Sequence, residues 1–359
     1  MNAPSPDFWR GRRVLVTGHT GFKGSWLVMW LTKLGADVRA LALEPPSSPS
    51  AFEVLDLASM VDHRVVDLRN AEAVRSHVEG FDPSVVLHLA AQAIVRRSYV
   101  DPLETLQTNV MGTAHLLEAV RACPSVEAIV SVTSDKCYDN REWLYGYREV
   151  DALGGHDPYS ASKAMQELVT HAWRRSFFEV GDRPVTVVSA RAGNVLGGGD
   201  WAEARLIPDA ARAFAAGRRV EIRSPHAVRP WQHVLESLRG YLLLAERACV
   251  DASAAGAWNF GPDARDVRTV GEVMERFTQA WGEGAGWDDK SASDAGPHEA
   301  HLLKLDSSKA QTLLGWRPVI SLERCLELSA EWYRQHAAGA DAATLRALTL
   351  SQIDEASAT

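Results

Sequence analysis

A tyrosine and a lysine four residues apart, Tyr159 and Lys163, are the pair in this chain best suited to moving a proton. On a helix, residues with this spacing share one face, so both side chains would point into the same cleft. The ammonium favours the phenolate, which predicts a tyrosine pKa lowered toward neutrality. The pattern alone is common, but here it follows a predicted strand, on a helix that opens with Asp157-Pro158.

A glycine-rich turn is the second chemical feature, with Gly18, Gly21 and Gly24 lying between an apolar run at 14–16 and a predicted helix at 25–34. Gly18 allows the tight turn, Gly21 allows a pyrophosphate to approach, and Gly24 allows the helix to pack on the sheet. The free N–H groups of the helix then face the anion. A purely structural turn is the alternative, but the flanking strand and helix favour a nicotinamide cofactor beside the tyrosine, and thus hydride transfer at an alcohol carbon.

The elements that must position these groups alternate between strand and helix. Predicted strands cover 14–16, 38–43, 64–68, 85–90, 128–134 and 185–190, and predicted helices cover 25–34, 103–121 and 160–175. This alternation predicts an α/β fold, a Rossmann-type doubly wound parallel sheet with a smaller mixed C-terminal substrate-binding lobe. We expect a cofactor domain at 8–190, a mainly substrate-binding lobe at 191–335, and a tail at 336–359 that is a weak helix or disordered.

Composition restricts the class of protein. The 359 residues carry a net charge of -8, which argues against nucleic acid or an anionic membrane as a partner. The four cysteines are scattered without metal-ligand spacing, so we expect no metal and a reducing, cytoplasmic location. We find neither a signal peptide at the N-terminus nor an apolar run long enough to span a bilayer.

The Gly-x-x-Gly-x-x-Gly spacing resembles the extended branch of the short-chain dehydrogenase/reductase superfamily. The resemblance implies that the three glycines, Tyr159 and Lys163 contact a nicotinamide dinucleotide, together with a set of residues in the glycine turn and at the ends of the next strands. This set is Thr20, Phe22, Lys23, Glu44, Asp67, Leu68, Leu89, Ala90, Ala91, Gln92 and Asn109. Asp67 is the acid that this superfamily places near the adenine, and Asn109 belongs to its asparagine motif.

The choice between NAD and NADP depends on the residues after the second strand. Glu44 stands where an acid would hold the ribose hydroxyls, although a solvated loop charge is an equal interpretation. Arg39 and Arg64 are the residues that could contact a 2′-phosphate. We expect NAD.

The residues after the fifth predicted strand indicate the reaction. Ser134 occupies the position at which this superfamily hydrogen-bonds the reacting hydroxyl, with Thr133 as the alternative. Asp135 and Lys136 add an acid and a base beside the redox pair, which suggests that water is removed after the oxidation. The alternative is an ion pair at the end of a strand. Inverting UDP-N-acetylhexosamine dehydratases also carry Asp-Lys here, so this pair alone leaves the sugar open.

Longer stretches resemble the nucleotide-sugar 4,6-dehydratases, and among them the CDP-glucose group. They lie at 18–26, 133–138, 154–159, 191–201, 229–234 and 298–301. The resemblance implies that CDP-glucose is converted to CDP-4-dehydro-6-deoxyglucose and water, with NAD bound and regenerated. The alternatives are a UDP- or dTDP-sugar 4,6-dehydratase and a nucleotide-sugar 4-epimerase. A non-catalytic cofactor sensor is disfavoured because the tyrosine–lysine pair is retained.

The resemblance also implies substrate contacts and an assembly. Asn194 and Arg229 match the residues that hold the substrate diphosphate, and Arg205 is a further candidate that a surface charge would equally explain. Extended members often pair through two helices, here near 103–121 and 160–175, so we expect a homodimer or homotetramer.

Overall fold

In the computed structural model, residues 2–180, 183–263, 266–291 and 302–358 are described. The segment at 298–301 that contributed to the resemblance lies outside them. The strands are β1 Arg13–Thr17, β2 Asp37–Ala42, β3 Asp62–Val65, β4 Val85–His88, β5 Ala128–Val132, β6 Thr186–Ala192, β7 Asn194–Leu196, β8 Val220–Ile222, β9 Val228–His233, β10 Gly256–Phe260, β11 Val267–Thr269 and β12 Trp287–Asp289.

The α-helices are α1 Pro6–Trp9, α2 Phe22–Lys33, α3 Ala51–Val54, α4 Ala71–Glu79, α5 Val95–Val100, α6 Pro102–Leu106, α7 Gly112–Arg121, α8 Pro158–Trp173, α9 Leu206–Ala215, α10 Val234–Val250, α11 Val270–Trp281, α12 Ser308–Leu313, α13 Leu322–Ala337 and α14 Ala342–Ser357. The helix predicted at 103–121 is therefore three pieces, because a π-helical segment, Gln107–Met111, separates α6 from α7. That segment carries Asn109 into the site described below.

Among the described residues, seven strands form the main sheet, in the order β10-β6-β5-β4-β1-β2-β3, and every neighbouring pair is parallel. The predicted doubly wound Rossmann-type sheet is confirmed. The chain order reverses between β1 and β4, and a ligand of such a sheet binds at this switch point, beside the carboxyl ends of the strands.

The sheet is buried on both faces, which explains why its strands are almost continuously apolar. Val14 and Val16 of β1 pack in one hydrophobic cluster, whereas Leu15 between them packs in the other. Successive side chains of a strand point to opposite faces, so the two clusters are the two helix-covered faces of one sheet. This packing holds the strand ends, and the groups that follow them, in fixed positions.

The C-terminal part is not separate from this sheet. The predicted boundary at residue 190 divides elements that pack together, because β6 continues to Ala192 and β10 pairs with it, with Trp258 opposite Ala190. The smaller lobe contains the remaining strands: β9 pairs with β7 and β11, and β8 pairs with β12. The segment 193–262 is interrupted by glycine and proline, so its sequence did not indicate that one of its strands, β10, belongs to the main sheet.

The tail forms a helix, α14, where the sequence left a choice between a weak helix and disorder. Asp341 caps its first turn by accepting a hydrogen bond from the backbone N–H of Thr344. Leu345, Thr349 and Ile353 are buried at four-residue spacing, and the Thr349 hydroxyl accepts a hydrogen bond from the indole of Trp332. Packing against α13 therefore supplies the stabilisation that the local composition lacks.

The third strand is shifted relative to its prediction, from 64–68 to Asp62–Val65, so Asp67 follows the strand rather than ending it. Within the described parts of the chain, no helix has the length and apolarity needed to cross a bilayer. The same residues include no group of three or more histidines, cysteines and acids placed to hold a metal ion.

Candidate active site

The glycine turn forms an open cradle at the start of α2. Gly18 has a φ of +80°, and a Cβ there would stand 2.6 Å from the backbone nitrogen of Ala90, so both the turn and the approach to the end of β4 require glycine. A Cβ on Gly21 would meet only the carbonyl oxygen of Gly18, at 3.4 Å, which leaves open space in front of the helix. The first N–H groups of α2 face this space, so the cradle fits a pyrophosphate.

The end of β4 is tied to the helices that carry the proposed chemistry. Asn109 accepts a hydrogen bond from the backbone N–H of Gln92 and donates to the carbonyl of Gln92 and to the hydroxyl of Ser162. The backbone N–H groups of Leu89 and Ala90 are held by Thr17. The asparagine motif therefore connects the edge of the cofactor cradle to α8.

Some of the residues predicted near the adenosine already have ion-pair partners in the protein, whereas Glu44, which follows β2, is exposed. Asp67 is bound by Arg69, whose guanidinium hydrogen bond lowers the pKa of this carboxyl. Arg39 and Arg64 both pair with Asp62, at 2.6 and 2.8 Å. Because these two arginines are paired with a carboxylate, neither is free to hold a 2′-phosphate, which favours NAD.

The end of β5 leads directly into Ser134, Asp135 and Lys136. These residues lie at the carboxyl edge of the sheet, on which the switch point between β1 and β4 also opens. Ser134 donates to the Asp135 carboxylate at 3.0 Å, and its hydroxyl accepts the backbone N–H of Lys136. Burial raises the pKa of Asp135, only partly opposed by the charge of Lys136, so this carboxyl tends to keep its proton. Thr133, the alternative to Ser134, donates instead to Glu167 at 2.5 Å beneath the site. Ser134 is therefore the hydroxyl left for a substrate.

Tyr159 and Lys163 lie on the first turns of α8, where Asp157 caps the helix by accepting the backbone N–H of Ser160. Both side chains are buried. Burial lowers the pKa of Lys163 to about 7, with the charge of Lys23 acting in the same direction. Burial raises the pKa of Tyr159 to about 12, which a hydrogen bond from Ser134 only partly opposes.

Tyr159, Lys163 and their protein surroundings therefore do not by themselves give Tyr159 the near-neutral pKa that we expected. The sequence argument counted the attraction of the Lys163 ammonium and of a positively charged nicotinamide for the phenolate, and left out the cost of burying a charge. Both groups are buried, and burial disfavours both the phenolate and the ammonium. A further positive charge beside Tyr159 is needed for the phenolate to form near neutral pH.

Lys23, which the sequence placed in the glycine turn as a cofactor contact, also interacts with the catalytic residues. Its ammonium donates to the hydroxyl of Tyr241 at 3.3 Å, and burial lowers its pKa to about 8, with Arg205 acting in the same direction and Asp135 opposing. The sequence placed Lys23 in the phosphate turn but gave no signal for its contact with Tyr241 on α10. That contact depends on the tertiary packing of α2 against α10.

The three predicted substrate residues lie in the C-terminal half of the chain, and one of them, Arg229, interacts with Asp135. Asn194 opens β7 and is half-buried. Arg205, just before α9, lies 3.6 Å from Asp200. Arg229 lies on β9 and interacts electrostatically with Asp135. Arg191, by contrast, is buried in an ion pair with Glu167 and is structural.

Comparison with known proteins agrees with this geometry. The chain matches the family described as GDP-mannose 4,6 dehydratase over residues 15–328. It is 48% identical over 339 residues to the CDP-glucose 4,6-dehydratase of Salmonella typhimurium, across 93% of this chain and 94% of that protein. It is 29% identical to the dTDP-glucose 4,6-dehydratase of Streptomyces griseus, across 90% and 94%. The structure of Thermus thermophilus UDP-glucose 4-epimerase with NAD superposes with a TM-score of 0.76 at 27% identity, across 90% and 99%.

Proposed function

The chain belongs to the GDP-mannose 4,6-dehydratase family, within the extended short-chain dehydrogenases/reductases, and from this premise we propose that it converts CDP-glucose to CDP-4-dehydro-6-deoxyglucose and water. The choice of CDP-glucose rests on the 48% identity to an enzyme of that name over nearly the whole chain. The observation that carries the reaction type is the buried Asp135, whose pKa burial raises, with Lys136 at its side, in the same site as Tyr159 and Lys163.

We propose NAD as the cofactor, held by the glycine turn and the ends of β1, β2 and β4. The open space at Gly21 accommodates its pyrophosphate, and Glu44 is available for the ribose hydroxyls. When bound, NAD accepts a hydride from C4 of the sugar and returns it to C6, and its nicotinamide adds positive charge to the site. That charge, with Lys163, opposes the burial that raises the pKa of Tyr159.

Tyr159 starts the proposed reaction as the base. Its phenolate takes the proton from O4 as the C4–H bond gives up its hydride, and the product of this step is a 4-ketone. With substrate bound, the Ser134 hydroxyl proton turns from Asp135 to the same oxygen and orients it. The ketone acidifies the hydrogen on C5, so the next bond to break is C5–H.

Elimination then requires a base at C5 and an acid at the C6 hydroxyl. Lys136 in its neutral form takes the C5 proton in the closed site, and Asp135 in its protonated form gives its proton to the departing hydroxyl, which leaves as water. The raised pKa of Asp135 suits this role, because burial favours the protonated form of the carboxyl, which is the form that can act as an acid. A hydride supplied by the cofactor to C6 and a proton from Lys136 to C5 would form the product without net oxidation, and passage of the O4 proton from Tyr159 to Asp135 through solvent would restore both groups.

The substrate diphosphate is assigned to three residues of the C-terminal lobe, proposed from the sequence to lie mainly at 191–335. Asn194 donates through its amide, and Arg229 offers a guanidinium suited to bidentate phosphate contacts. Arg205 adds a second positive charge, shared with Asp200. A cytoplasmic location stays a prediction from the sequence.

Mass spectrometry of the product tests this proposal. The protein is incubated separately with CDP-, UDP- and dTDP-glucose and a trace of NAD. Loss of one water from CDP-glucose alone, without accumulation of NADH, is the expected result. Water loss from another nucleotide sugar alone would contradict the CDP specificity and keep the reaction. An isomer of unchanged mass would contradict dehydration and favour a 4-epimerase.

For the assembly, we propose a homodimer formed through α8 and the segment before α7. Large apolar side chains on this face are exposed, including Leu103, Met111, Met165 and Leu168. A contiguous exposed apolar face on helices is typical of an interface. Light scattering tests it: Leu168→Glu is expected to give monomers, whereas Leu313→Glu, an exposed leucine on α12, is the control that keeps the oligomer. Monomeric wild-type protein would contradict the proposal.

A further inference from the structure

Gln166 lies directly behind the proposed catalytic lysine. It follows Lys163 by three residues on α8 and is fully buried. Its Oε1 accepts a hydrogen bond from Lys163 Nζ at 2.8 Å. Its Nε2 donates to the hydroxyl of Ser131 at 3.2 Å and to the carbonyl of Val132 at 3.4 Å, both on β5. The side chain therefore connects the lysine to the strand that carries Ser134 and Asp135 at its end.

The orientation of the Gln166 amide follows from its partners. The Val132 carbonyl can only accept a hydrogen bond, so the amide nitrogen must face β5. The amide oxygen must then face Lys163, whose ammonium can only donate. The two contacts of opposite type fix the amide in one orientation, which leaves no choice between its nitrogen and oxygen.

We propose that Gln166 is a positioning residue for Lys163, holding its ammonium against β5 without adding a charge to the site. The inference deepens the proposed function, since it rests on Lys163 acting on Tyr159. Among the residues that the structure describes, Gln166 is the hydrogen-bond acceptor recorded for Lys163 Nζ. Without it, a flexible four-carbon side chain would be free to leave the face it shares with Tyr159.

The absence of charge on Gln166 is as important as its hydrogen bond. A carboxylate at this distance would pair with the ammonium and cancel much of the positive potential that favours the Tyr159 phenolate. The next residue, Glu167, lies one turn beyond Lys163 and acts on it electrostatically, but its carboxylate oxygens are bound by Arg191, Ser189 and Thr133. The chain thus places its amide toward the lysine and its carboxylate toward the arginine.

Two substitutions separate the two roles. Gln166→Glu keeps the shape and the acceptor toward Lys163, but it replaces the amide that donates to Val132 by a carboxyl oxygen and adds a charge when that carboxyl is ionised. The ascending limb of log kcat against pH is then expected to shift upward by about one unit, with a plateau near that of the wild type. Gln166→Met removes the acceptor and is expected to lower kcat about tenfold across the whole pH range, with KM for CDP-glucose unchanged. Thr170→Val is the matched control, because Thr170 is buried one turn later on the same helix and also bonds Ser131 but does not contact Lys163.

A second measurement reports on Gln166 without turnover. The absorbance of the Tyr159 phenolate is titrated in the NAD complex, with the Tyr159→Phe protein subtracted as background. Gln166→Glu is expected to raise this pKa, and Thr170→Val to leave it unchanged. The inference would be overturned if both variants fold and behave as the wild type does. That result means that Gln166→Glu and Gln166→Met show the wild-type pH profile of kcat, the wild-type maximal kcat and the wild-type pKa of Tyr159. Inactive wild-type protein would contradict the proposed function, and the phenolate titration would still decide the role of Gln166.

Discussion

Gly193 and Asp135 are in such close contact that a Cβ on residue 193 would stand 2.8 Å from the Asp135 carboxylate oxygen Oδ2. The loop after β6 therefore forms one wall of the pocket in which Asp135 is buried. Burial is the largest cause of the raised pKa of Asp135, so this wall contributes directly to keeping the carboxyl protonated. A glycine permits that approach because any side chain would displace the acid.

Gly193→Ala is expected to move Asp135 without unfolding the protein, because the neighbour that must shift is the end of a side chain. We expect the rate of water loss from CDP-glucose to fall at least tenfold, which corresponds to about 1.4 kcal/mol of transition-state stabilisation. NAD affinity should stay unchanged, since the glycine turn is untouched. Steady-state kinetics and an NAD titration measure the two effects. Wild-type water loss would argue against Asp135 as the acid.

Lys136→Met is expected to stop the reaction after the first oxidation. Tyr159 would still take the O4 proton, so NADH should accumulate up to one equivalent per site, whereas the C5 proton would have no base. Incorporation of solvent deuterium at C5 of recovered sugar measures that step. Lys33→Met, which removes a surface lysine paired with Asp354, is the control. Normal deuterium incorporation in Lys136→Met would mean that another group removes the C5 proton.

Much of the site was predictable because its signals are local. The strand–glycine–helix pattern at Gly18, the helical spacing of Tyr159 and Lys163, and the strand end at Ser134 each lie within a few residues of sequence. A parallel sheet then brings separate strand ends to one edge, so these signals place the cofactor site as well as the fold. The seven-stranded sheet and the positions of these residues agree with that reasoning.

What could not be predicted depends on contacts between distant segments. Lys23 contacts Tyr241, 218 residues away, and the pKa of Asp135 is raised because distant segments, including the loop at Gly193, bury it. The burial that raises the pKa of Tyr159 is likewise a tertiary property. The tail helix depends on packing against α13, which its own composition does not reveal. Sequence pattern gave the residue types, whereas tertiary burial sets their charge states.

His88 predicts how stability depends on pH. It is buried at the end of β4, between the hydroxyls of Thr17 and Thr113, and burial lowers its pKa from 6.5 to about 3. The unfolded chain takes up a proton below pH 6.5, whereas the folded protein does so only near 3. The stability due to neutral His88 is therefore complete above about 6.5 and is lost as the pH falls toward 3, by about 2 kcal/mol at pH 5.

Urea unfolding at several pH values measures this effect. As the pH is lowered from 6.5 to 4.5, the wild-type free energy of unfolding is expected to decrease. His233 and His19 add to this slope, because burial lowers their pKa values to about 3 and 4. The slope of the unfolding free energy against pH is proportional to the number of protons taken up on unfolding. His88→Gln should reduce this slope by an amount that corresponds to about one proton. Equal slopes for the variant and the wild type would show that His88 is protonated in the folded protein.

The ion pair between Arg191 and Glu167 is expected to show a large cost when one partner is removed. Its charged atoms are 2.9 Å apart, and both side chains are about 5% exposed. Burial acts to raise the pKa of Glu167, but hydrogen bonding and charge from Arg191 hold it below its usual value. Arg191→Met leaves that carboxyl buried with only the hydroxyls of Ser189 and Thr133, and should lower the free energy of unfolding by about 3–5 kcal/mol.

The double variant Arg191→Met, Glu167→Gln separates a general packing defect from an unpaired charge. Replacing the carboxylate by an amide removes the buried charge, keeps an acceptor for one hydroxyl and offers an N–H donor to the other, so the double variant is expected to be more stable than Arg191→Met alone. Urea unfolding of the wild type, both single variants and the double variant completes the cycle. Additive losses would mean that the two side chains contribute independently. A gain on adding Glu167→Gln would show that the arginine is retained mainly to neutralise an acid one helical turn beyond Lys163.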